Sequence, residues 1–309
     1  MSDAPTQNHA DASPQPSDWT AAMEAATEED GYFHSLGARH WAFFSDQGTT
    51  LLVSFETAAV IRARPENLPL AQATAARHGW SHLCLIADGN TWFRDPAVYA
   101  FFDRQVDDAF FEDFDHVLFY GAGMAGYAAC AYSVAAPGAQ VLALNPRATL
   151  DPSQAGADPR DRSARRLDFT SRYGYAPDML EGVSRAVVVH DPTIPAEAAQ
   201  AALFHAPYIT RLSARHMGDA LEPHFEQMAI LRDMIGAAMT GKLDAALFAK
   251  LWRARRDYRG YLIALLERSV AAGRRRHERM ICESVGKRLR LRRLVRHLAM
   301  LNEADEALE

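Results

Sequence analysis

Between residues 40 and 240, short apolar segments alternate with segments of helical composition and spacing. Most of the apolar segments are continuous rather than alternating, which is typical of parallel strands covered on both faces. The pattern therefore predicts a mostly parallel sheet sandwiched by helices, with right-handed crossovers. The predicted strands are Thr50–Glu56, His82–Asp88, His116–Gly121, Gln140–Pro146, Arg185–Asp191 and Tyr208–Ala214, and the helices between them include Leu68–His78, Pro96–Phe110 and Met124–Val134.

A further strand is predicted upstream of Thr50–Glu56. His40–Phe44 leads into Ser45–Gly48, whose composition is typical of a hairpin turn. The two strands are therefore expected to pair in the antiparallel sense.

The pattern changes after Gly241, where the strand signal ends. Two long helices are predicted there, over Leu243–Val270 and Arg274–Leu301. We expect this helical appendage to pack on the sheet domain through the apolar stripe of its second helix, which is formed by Leu291, Leu294, Val295 and Leu298. The sequence thus predicts a disordered tail over residues 1–18, an α/β domain over 19–240 and a basic helical appendage over 241–309.

The composition limits the classes of protein to consider. With 309 residues, 49% of them hydrophobic, the chain can bury a full core without crosslinks. Cys84, Cys130 and Cys282 lie far apart and show no metal-ligand spacing, which favours a reducing compartment. No apolar run is long enough to span a bilayer, and the N-terminus does not resemble a signal peptide. We expect a soluble cytoplasmic protein with no metal, no cofactor and no membrane association, and the sequence leaves the oligomeric state open.

The net charge of −6 conceals an asymmetry along the chain. Residues 250–297 carry 16 Lys and Arg against 4 Asp and Glu, a net charge of +12, whereas the other residues have a net charge of −18. The basic segment contains aromatic residues only at Trp252, Tyr258 and Tyr261. Proteins that bind single-stranded nucleic acid usually have aromatic side chains along a basic groove, on which the bases stack. We therefore expect the segment to fold back onto the acidic remainder, and we expect no specific nucleic-acid binding.

The most specific segment follows a predicted strand and opens a predicted helix; it reads Phe119-Tyr120-Gly121-Ala122-Gly123-Met124-Ala125-Gly126-Tyr127-Ala128-Ala129. It resembles the G-x-S-M-G-G-Y-A form of the nucleophile elbow of α/β-hydrolases, the turn that lifts a serine above the sheet. The resemblance covers residues 40–240 as an order of elements. Val141–Pro146 resembles the strand after the elbow, Val187–Pro192 the late strand with the triad acid, and Arg215–Asp219 the loop with the catalytic histidine. The resemblance implies an α/β-hydrolase-like fold.

The resemblance also implies a catalytic triad in which two positions are changed. Gly123 stands where the family has its serine, and Asp219 stands where it has its general base. Only Asp191, the acid, matches. Serine hydrolysis requires a hydroxyl within hydrogen-bond reach of an imidazole, and His216, which is close to the changed position, has no serine to activate. Ordinary serine hydrolysis is therefore not expected.

The remainder of the elbow predicts a ligand site. The N–H groups of Met124 and Ala125 come at the start of a helix, where backbone donors bind anions. Gly121 and Gly123 allow the unusual dihedral angles of the turn. A non-hydrolytic protein that binds a small anionic or acyl ligand is the function that these residues favour.

A second loop is expected to face the same crevice, because it leaves another strand at its carboxyl end. In that loop, Arg94 is expected to supply charge to the ligand and Trp92 a flat apolar wall. Arg94 also fits a surface ion pair with Asp95, and Trp92 also fits a core position.

Other functions remain compatible with the sequence. One is an active esterase or acyltransferase with a non-standard nucleophile, although Ser133 lies too deep along the helix and Cys130 fits a buried position. Another is an interaction protein that works through the basic C-terminal helices. A third is dinucleotide binding, because Gly121–Gly126 spells G-x-G-x-x-G, but Asn145-Pro146 stands where an acidic residue is expected. The motifs of phosphoadenosine-phosphosulfate reductases are absent from the sequence.

Overall fold

A computed structural model describes residues 18–27, 30–156, 158 and 160–306. The predicted N-terminal tail lies outside these residues, apart from Asp18, which begins the first helix. An eight-stranded sheet forms the centre of the described chain. Its strands are β1 (Gly31–Leu36), β2 (His40–Ser45), β3 (Thr50–Thr57), β4 (Ser81–Ala87), β5 (His116–Ala122), β6 (Gln140–Leu144), β7 (Arg185–His190) and β8 (Ile209–Ser213).

The strands follow the order β1-β2-β4-β3-β5-β6-β7-β8, and all neighbours from β4 to β8 pair in parallel. The predicted fold class is confirmed: a mostly parallel, α/β-hydrolase-like sheet sandwiched by helices, with a C-terminal helical appendage. The helices are α1 (Asp18–Ala25), α2 (Ala58–Arg62), α3 (Gln72–His78), α4 (Pro96–Asp107), α5 (Met124–Tyr132), α6 (Pro152–Ala155), α7 (Pro195–Ala202), α8 (Leu221–Gln227), α9 (Leu231–Met239), α10 (Ala245–Leu251), α11 (Arg259–Ala271), α12 (Arg275–Leu289) and α13 (Arg292–Glu306).

The central strands bury side chains on both faces of the sheet, which explains their continuous apolar sequences. In β3, Leu51 and Val53 belong to the core on one face and Leu52 to the core on the other. In β5, Phe119 and Tyr120 are divided between the two cores in the same way. Successive residues of a strand point to opposite faces, so a strand covered on both faces requires apolar residues throughout.

The strand upstream of β3 pairs differently from the prediction. β2 forms where it was expected, but its antiparallel neighbours are β1 and β4, whereas β3 lies in parallel between β4 and β5. The predicted hairpin between β2 and β3 is therefore wrong. β2 forms its hairpin with β1, whose side chains are exposed or half-buried and whose apolar residues do not form a continuous run. Gly37, with a φ of 70°, supplies the left-handed residue at that turn.

The C-terminal appendage contains more and shorter helices than predicted. Arg290 adopts a left-handed conformation, with a φ of 49°, and separates α12 from α13, so the second predicted helix is a hairpin of two helices. The first predicted helix is divided by the 3₁₀ turn Trp252–Arg256. The turn lets Trp252 pack beside Phe225 and Phe248 on the sheet domain. Burial of apolar side chains thus overrides the uninterrupted helical pattern.

Helices α11, α12 and α13 enclose an apolar core of their own, formed by Leu262, Leu266, Cys282, Val285 and Leu294. Most of the predicted apolar stripe packs here rather than on the sheet domain, while Val295 remains 50% exposed. The basic side chains also find partners within the appendage: Arg275 and Arg279 pair with Asp305, Arg288 with Asp257, and Arg293 with Glu267. The partners of these arginines therefore all lie within the appendage, residues 241–309, and none of them lies in the α/β domain. None of the described helices combines the length and apolar character that a bilayer crossing requires.

Candidate functional site

The turn between β5 and α5 has a glycine at its apex. Gly123 has a φ of 58° and a ψ of −118°, a conformation that glycine adopts with little strain. A Cβ atom at this position would meet nothing within 4 Å, so the apex faces open space. Gly121 differs, because a Cβ there would lie 2.2 Å from the carbonyl oxygen of Ala125. Glycine at position 121 is therefore required for packing, and at position 123 it leaves space free.

Two adjoining cavities meet at this apex, at the carboxyl ends of the strands. The larger has a volume of about 450 Å³, and Gly123 lines it. The smaller, of about 100 Å³, lies between the end of β3 and the first turn of α5, where α/β-hydrolases have their oxyanion hole. Together they form the elbow crevice, which is lined by Phe55, Glu56, Thr57, Val60, Ala63, Arg64, Ala122, Gly123, Met124, Ala125, Asn145, Asp219, Ala220, Leu221, Glu222, Pro223 and Glu226.

The first turn of α5 provides hydrogen-bond donors to the smaller cavity. Met124 and Ala125 line it, and their N–H groups have no acceptor within the part of the chain that the structure describes. The N–H of Gly123, by contrast, donates to the carbonyl of Leu144 at 2.8 Å. The free N–H groups and the positive end of the helix dipole make this turn suited to bind a partly or fully negative oxygen.

Asp191, at the end of β7, is fully buried and saturated with hydrogen bonds. Its Oδ1 accepts from the N–H and hydroxyl of Thr193, and its Oδ2 accepts from the N–H groups of Met217 and Gly218 at 2.8 and 2.9 Å. Burial alone would raise the pKa of the carboxyl, but the hydrogen bonds outweigh it and lower the pKa. The carboxylate therefore fixes the loop after β8 and holds no imidazole.

Asp219 and His216, the two residues near the position that the resemblance assigned to the general base, lie in different surroundings. Asp219 is exposed and lines the larger cavity together with Gly123. His216 adopts a left-handed conformation, with a φ of 68°, and its Nδ1 is buried without a hydrogen-bond partner among the described residues. Burial lowers the pKa of this imidazole, and the guanidinium of Arg268 acts in the same direction. The structure thus brings Asp219 to the elbow but leaves His216 outside the lining of the crevice.

The structure places both Trp92 and Arg94 outside the lining of the crevice. The Trp92 ring is 1% exposed and packs edge-on against Tyr127 and Phe169. Its backbone N–H donates to the Met124 sulfur at 3.0 Å, so this residue supports the elbow from the core side.

Arg94 is occupied by the loop between β6 and β7. Its guanidinium donates to the carbonyls of Asp168 and Arg172 at 2.8 and 2.5 Å and to the Ser171 hydroxyl at 3.1 Å. Only 8% of its surface is exposed. These contacts make Arg94 a structural residue of that loop. The ion pair with Asp95, which the sequence also allowed, is not formed among the described residues.

Four charged residues of the crevice were not identified by the sequence analysis: Glu56, Arg64, Glu222 and Glu226. Glu56, at the end of β3, accepts from Arg64 and from the N–H of Leu70 at 2.6 Å, and burial raises the pKa of its carboxyl to about 7. Arg64 lines the larger cavity and Glu222 lines both. The sequence did contain one indication of these residues: Glu56 is a charged residue at the end of an apolar strand segment. Glu222 gave no signal, because only the fold brings α8 beside the elbow.

A cavity of similar size, about 460 Å³, lies at the opposite edge of the sheet, beside His116 and Gln140 at the start of β5 and β6. In open parallel sheets, ligands bind outside the carboxyl ends of the strands. That rule favours the elbow crevice, which also has the free backbone donors. Among the described residues no group of His, Cys, Asp and Glu side chains is arranged to hold a metal ion.

Comparisons with known proteins find distant structural similarity only. No protein-family model and no curated protein matches the chain. Est1E from Butyrivibrio proteoclasticus is 13% identical, with 69% of this chain and 98% of that chain covered and a TM-score of 0.44. An esterase from Pyrobaculum calidifontis is 10% identical, with coverages of 73% and 91% and a TM-score of 0.46. The capsule O-acetyltransferase of Neisseria meningitidis serogroup A is 10% identical, with coverages of 65% and 93% and a TM-score of 0.39. These similarities carry no argument about activity, and the fold rests on the strand order of the sheet itself.

Proposed function

We propose that this protein is a non-hydrolytic α/β-hydrolase-fold protein that binds a small acyl ligand in the elbow crevice. The observation that carries the proposal is the open apex at Gly123, where nothing occupies the space of a nucleophilic side chain. Free N–H groups of Met124 and Ala125 line the adjoining cavity. An acyl or carboxylate oxygen accepts hydrogen bonds from these donors, as an oxyanion does in the active relatives of the fold.

The surroundings of the elbow support binding without hydrolysis. Asp191 has no acceptor position left for an imidazole, because backbone and hydroxyl donors fill both oxygens. Cys130 and Ser133, the two alternative nucleophiles on the neighbouring helix and turn, are fully buried. Burial raises the pKa of the Cys130 thiol, and the Ser133 hydroxyl donates to the Cys130 carbonyl at 2.9 Å. A thiol that stays protonated and a hydroxyl without an imidazole are poor nucleophiles.

Arg64 takes the role that the sequence suggested for Arg94. It lines the larger cavity beside Gly123, and its only ion pair among the described residues is with Glu56. The crevice also contains Asp219, Glu222 and Glu226. This excess of carboxylates favours an acyl group over a multiply charged anion as the bound group.

The first test asks whether a nucleophile is present. A fluorophosphonate probe should leave the purified protein unlabelled, because no activated serine exists in the crevice. Stoichiometric labelling, or rapid turnover of p-nitrophenyl acetate, would show an active esterase and exclude the proposal.

The second test locates binding. Isothermal titration calorimetry with short-chain carboxylates and N-alkylacetamides should detect binding to the wild type, and Gly123→Leu should abolish it by filling the open space. Gly138→Leu is a matched control, since Gly138 also has a positive φ, of 87°, and open space at its Cβ, but lines only the cavity at the opposite edge. Absence of binding to every compound, or equal loss in both variants, would contradict the proposal.

A further inference from the structure

The elbow crevice has two chemically different sides. The first turn of α5 provides the N–H donors of Met124 and Ala125, whereas the start of α8 provides the carboxylate of Glu222. All three residues line the smaller cavity of about 100 Å³, so only a short distance separates the donors from the acceptor. A compact ligand that fills this cavity therefore contacts both.

Glu222 is held in place by a buried tyrosine. The hydroxyl of Tyr120, a residue only 1% exposed, donates to Oε1 of Glu222 at 2.5 Å. The other oxygen, Oε2, has no hydrogen-bond donor within the described ranges, so it is available to a ligand. Burial raises the pKa of the Glu222 carboxyl, and the carboxylate of Glu226 acts in the same direction. A cation bound at Oε2 would oppose both effects.

The guanidinium of the crevice is already paired with another carboxylate. Arg64 donates through Nη1 to Glu56 and to the carbonyl of Leu68. It lies within electrostatic range of Glu222 and Glu226 but forms an ion pair with neither. The carboxylate of Glu222 is therefore partly desolvated and has no cation of its own in the part of the chain described here.

We propose that Glu222 determines the ligand class of the crevice by accepting a hydrogen bond from a protonated amine. The ligand would then have an acyl group on the N–H donors of α5 and, a few atoms away, an ammonium group on Oε2 of Glu222. This inference rests on the proposed function, since it requires the acyl group to occupy the elbow. A hydrogen bond between two charged groups outside bulk water is stronger than its neutral counterpart, so the amine confers selectivity.

Two isosteric compounds test the inference on the wild-type protein. N-acetyl-1,3-diaminopropane and N-butylacetamide share the acyl group and the chain length, and differ in a terminal ammonium against a methyl group. Isothermal titration calorimetry should give a Kd about tenfold lower for the amine, a typical effect of a charge-assisted hydrogen bond. Equal affinities would overturn the inference and leave the proposed function intact. Binding of neither compound would overturn the inference, and the proposed function fails with it when the short-chain carboxylates also do not bind.

Two variants assign the effect to Glu222. In Glu222→Gln the preference for the amine should fall to about twofold or less, because the amide retains the shape and loses the charge. Asp233→Asn is the matched acid-to-amide control, because Asp233 on α9 is exposed and lies outside the lining of the crevice; the preference for the amine should persist in this variant. An unchanged preference in Glu222→Gln, or an equal loss in Asp233→Asn, would show that Glu222 does not select the amine.

Discussion

The carboxylate of Asp191 accepts a hydrogen bond from the N–H of Gly218 at 2.9 Å, and this contact joins the end of β7 to the loop after β8. Asp191, the residue that the resemblance assigned to the triad acid, fixes this loop. Removal of the carboxylate should therefore affect folding rather than catalysis.

Asp191→Ala should lower the free energy of unfolding by about 2–4 kcal/mol, because it leaves the buried N–H of Met217 and the partly buried N–H of Thr193 without an acceptor. Urea denaturation measures the change. Asp219→Ala is the control: its side chain is exposed, and the expected change is within about 0.5 kcal/mol. Equal stability of Asp191→Ala and the wild type would contradict the structural role.

Gly123→Ser should fold and remain inactive. The new side chain meets open space, so the cost is limited to the positive φ, about 1–2 kcal/mol. No esterase activity should appear if, as the resemblance implies, Asp219 takes the place of the histidine that would activate the serine. Gly121→Ser should be far more destabilising, since its Cβ would lie 2.2 Å from the Ala125 carbonyl oxygen. Thermal unfolding and p-nitrophenyl acetate hydrolysis test both variants, and the prediction fails if their stabilities are similar.

Stability should depend on pH through Glu56. Burial raises the pKa of its carboxyl to about 7 despite the neighbouring Arg64, while Glu222 adds to the increase. In the unfolded chain the pKa of this carboxyl is about 4.3. Between pH 4.3 and pH 7, roughly the two pKa values, the folded protein therefore binds more protons than the unfolded chain. The contribution of Glu56 to stability is thus present below about pH 4 and is lost as the pH rises to 7.

The whole loss from this group should be on the order of 3–4 kcal/mol, of which roughly 2–3 kcal/mol falls between pH 5 and 8. Urea midpoints at pH 5, 6, 7 and 8 measure it, and Glu56→Gln should flatten the slope. Glu112→Gln, at an exposed site beyond α4, should leave the slope unchanged. If Glu56→Gln retained the wild-type slope, another group would be responsible.

Arg94→Ala should reduce stability without affecting ligand affinity. The substitution leaves the carbonyls of Asp168 and Arg172 without their donor, which should cost about 2–4 kcal/mol. Arg94→Lys should restore only part of the loss, because an ammonium cannot reproduce the planar set of guanidinium donors. Urea denaturation and acyl-ligand titration, run on the same preparations, separate the two effects. Weaker ligand binding at unchanged stability would instead place Arg94 in the site.

The basic appendage should bind nucleic acids only weakly and without sequence preference. Part of its charge is neutralised internally, as in the pairs of Arg275 and Arg279 with Asp305. Trp252, one of the few aromatic residues of the basic segment, is buried in the apolar core, with only 7% of its surface exposed, and is therefore not available to stack on bases. Fluorescence anisotropy with a labelled oligonucleotide at near-physiological salt should give a Kd above about 1 µM. A submicromolar Kd there would favour the interaction-protein function.

The sequence by itself determined the class of fold and the position of the elbow. Strands such as Gln140–Leu144 are apolar at nearly every position because both faces are covered, and that signal is local. The elbow was visible for the same reason: a strand, a glycine-rich turn and a helix are consecutive in the chain. The glycine at the apex of the turn, Gly123, could therefore be identified before any contact was known.

Only the tertiary structure decided which side chains share the crevice. Glu222 lies 102 residues beyond Tyr120 in the chain, and their hydrogen bond exists because α8 packs beside the end of β5. Arg64 and Arg94 are equivalent by residue type, but one lines the crevice and the other is used by a distant loop. Hydrophobic periodicity carries no information on such pairings, because the packing of helices and long loops onto the sheet depends on the whole core.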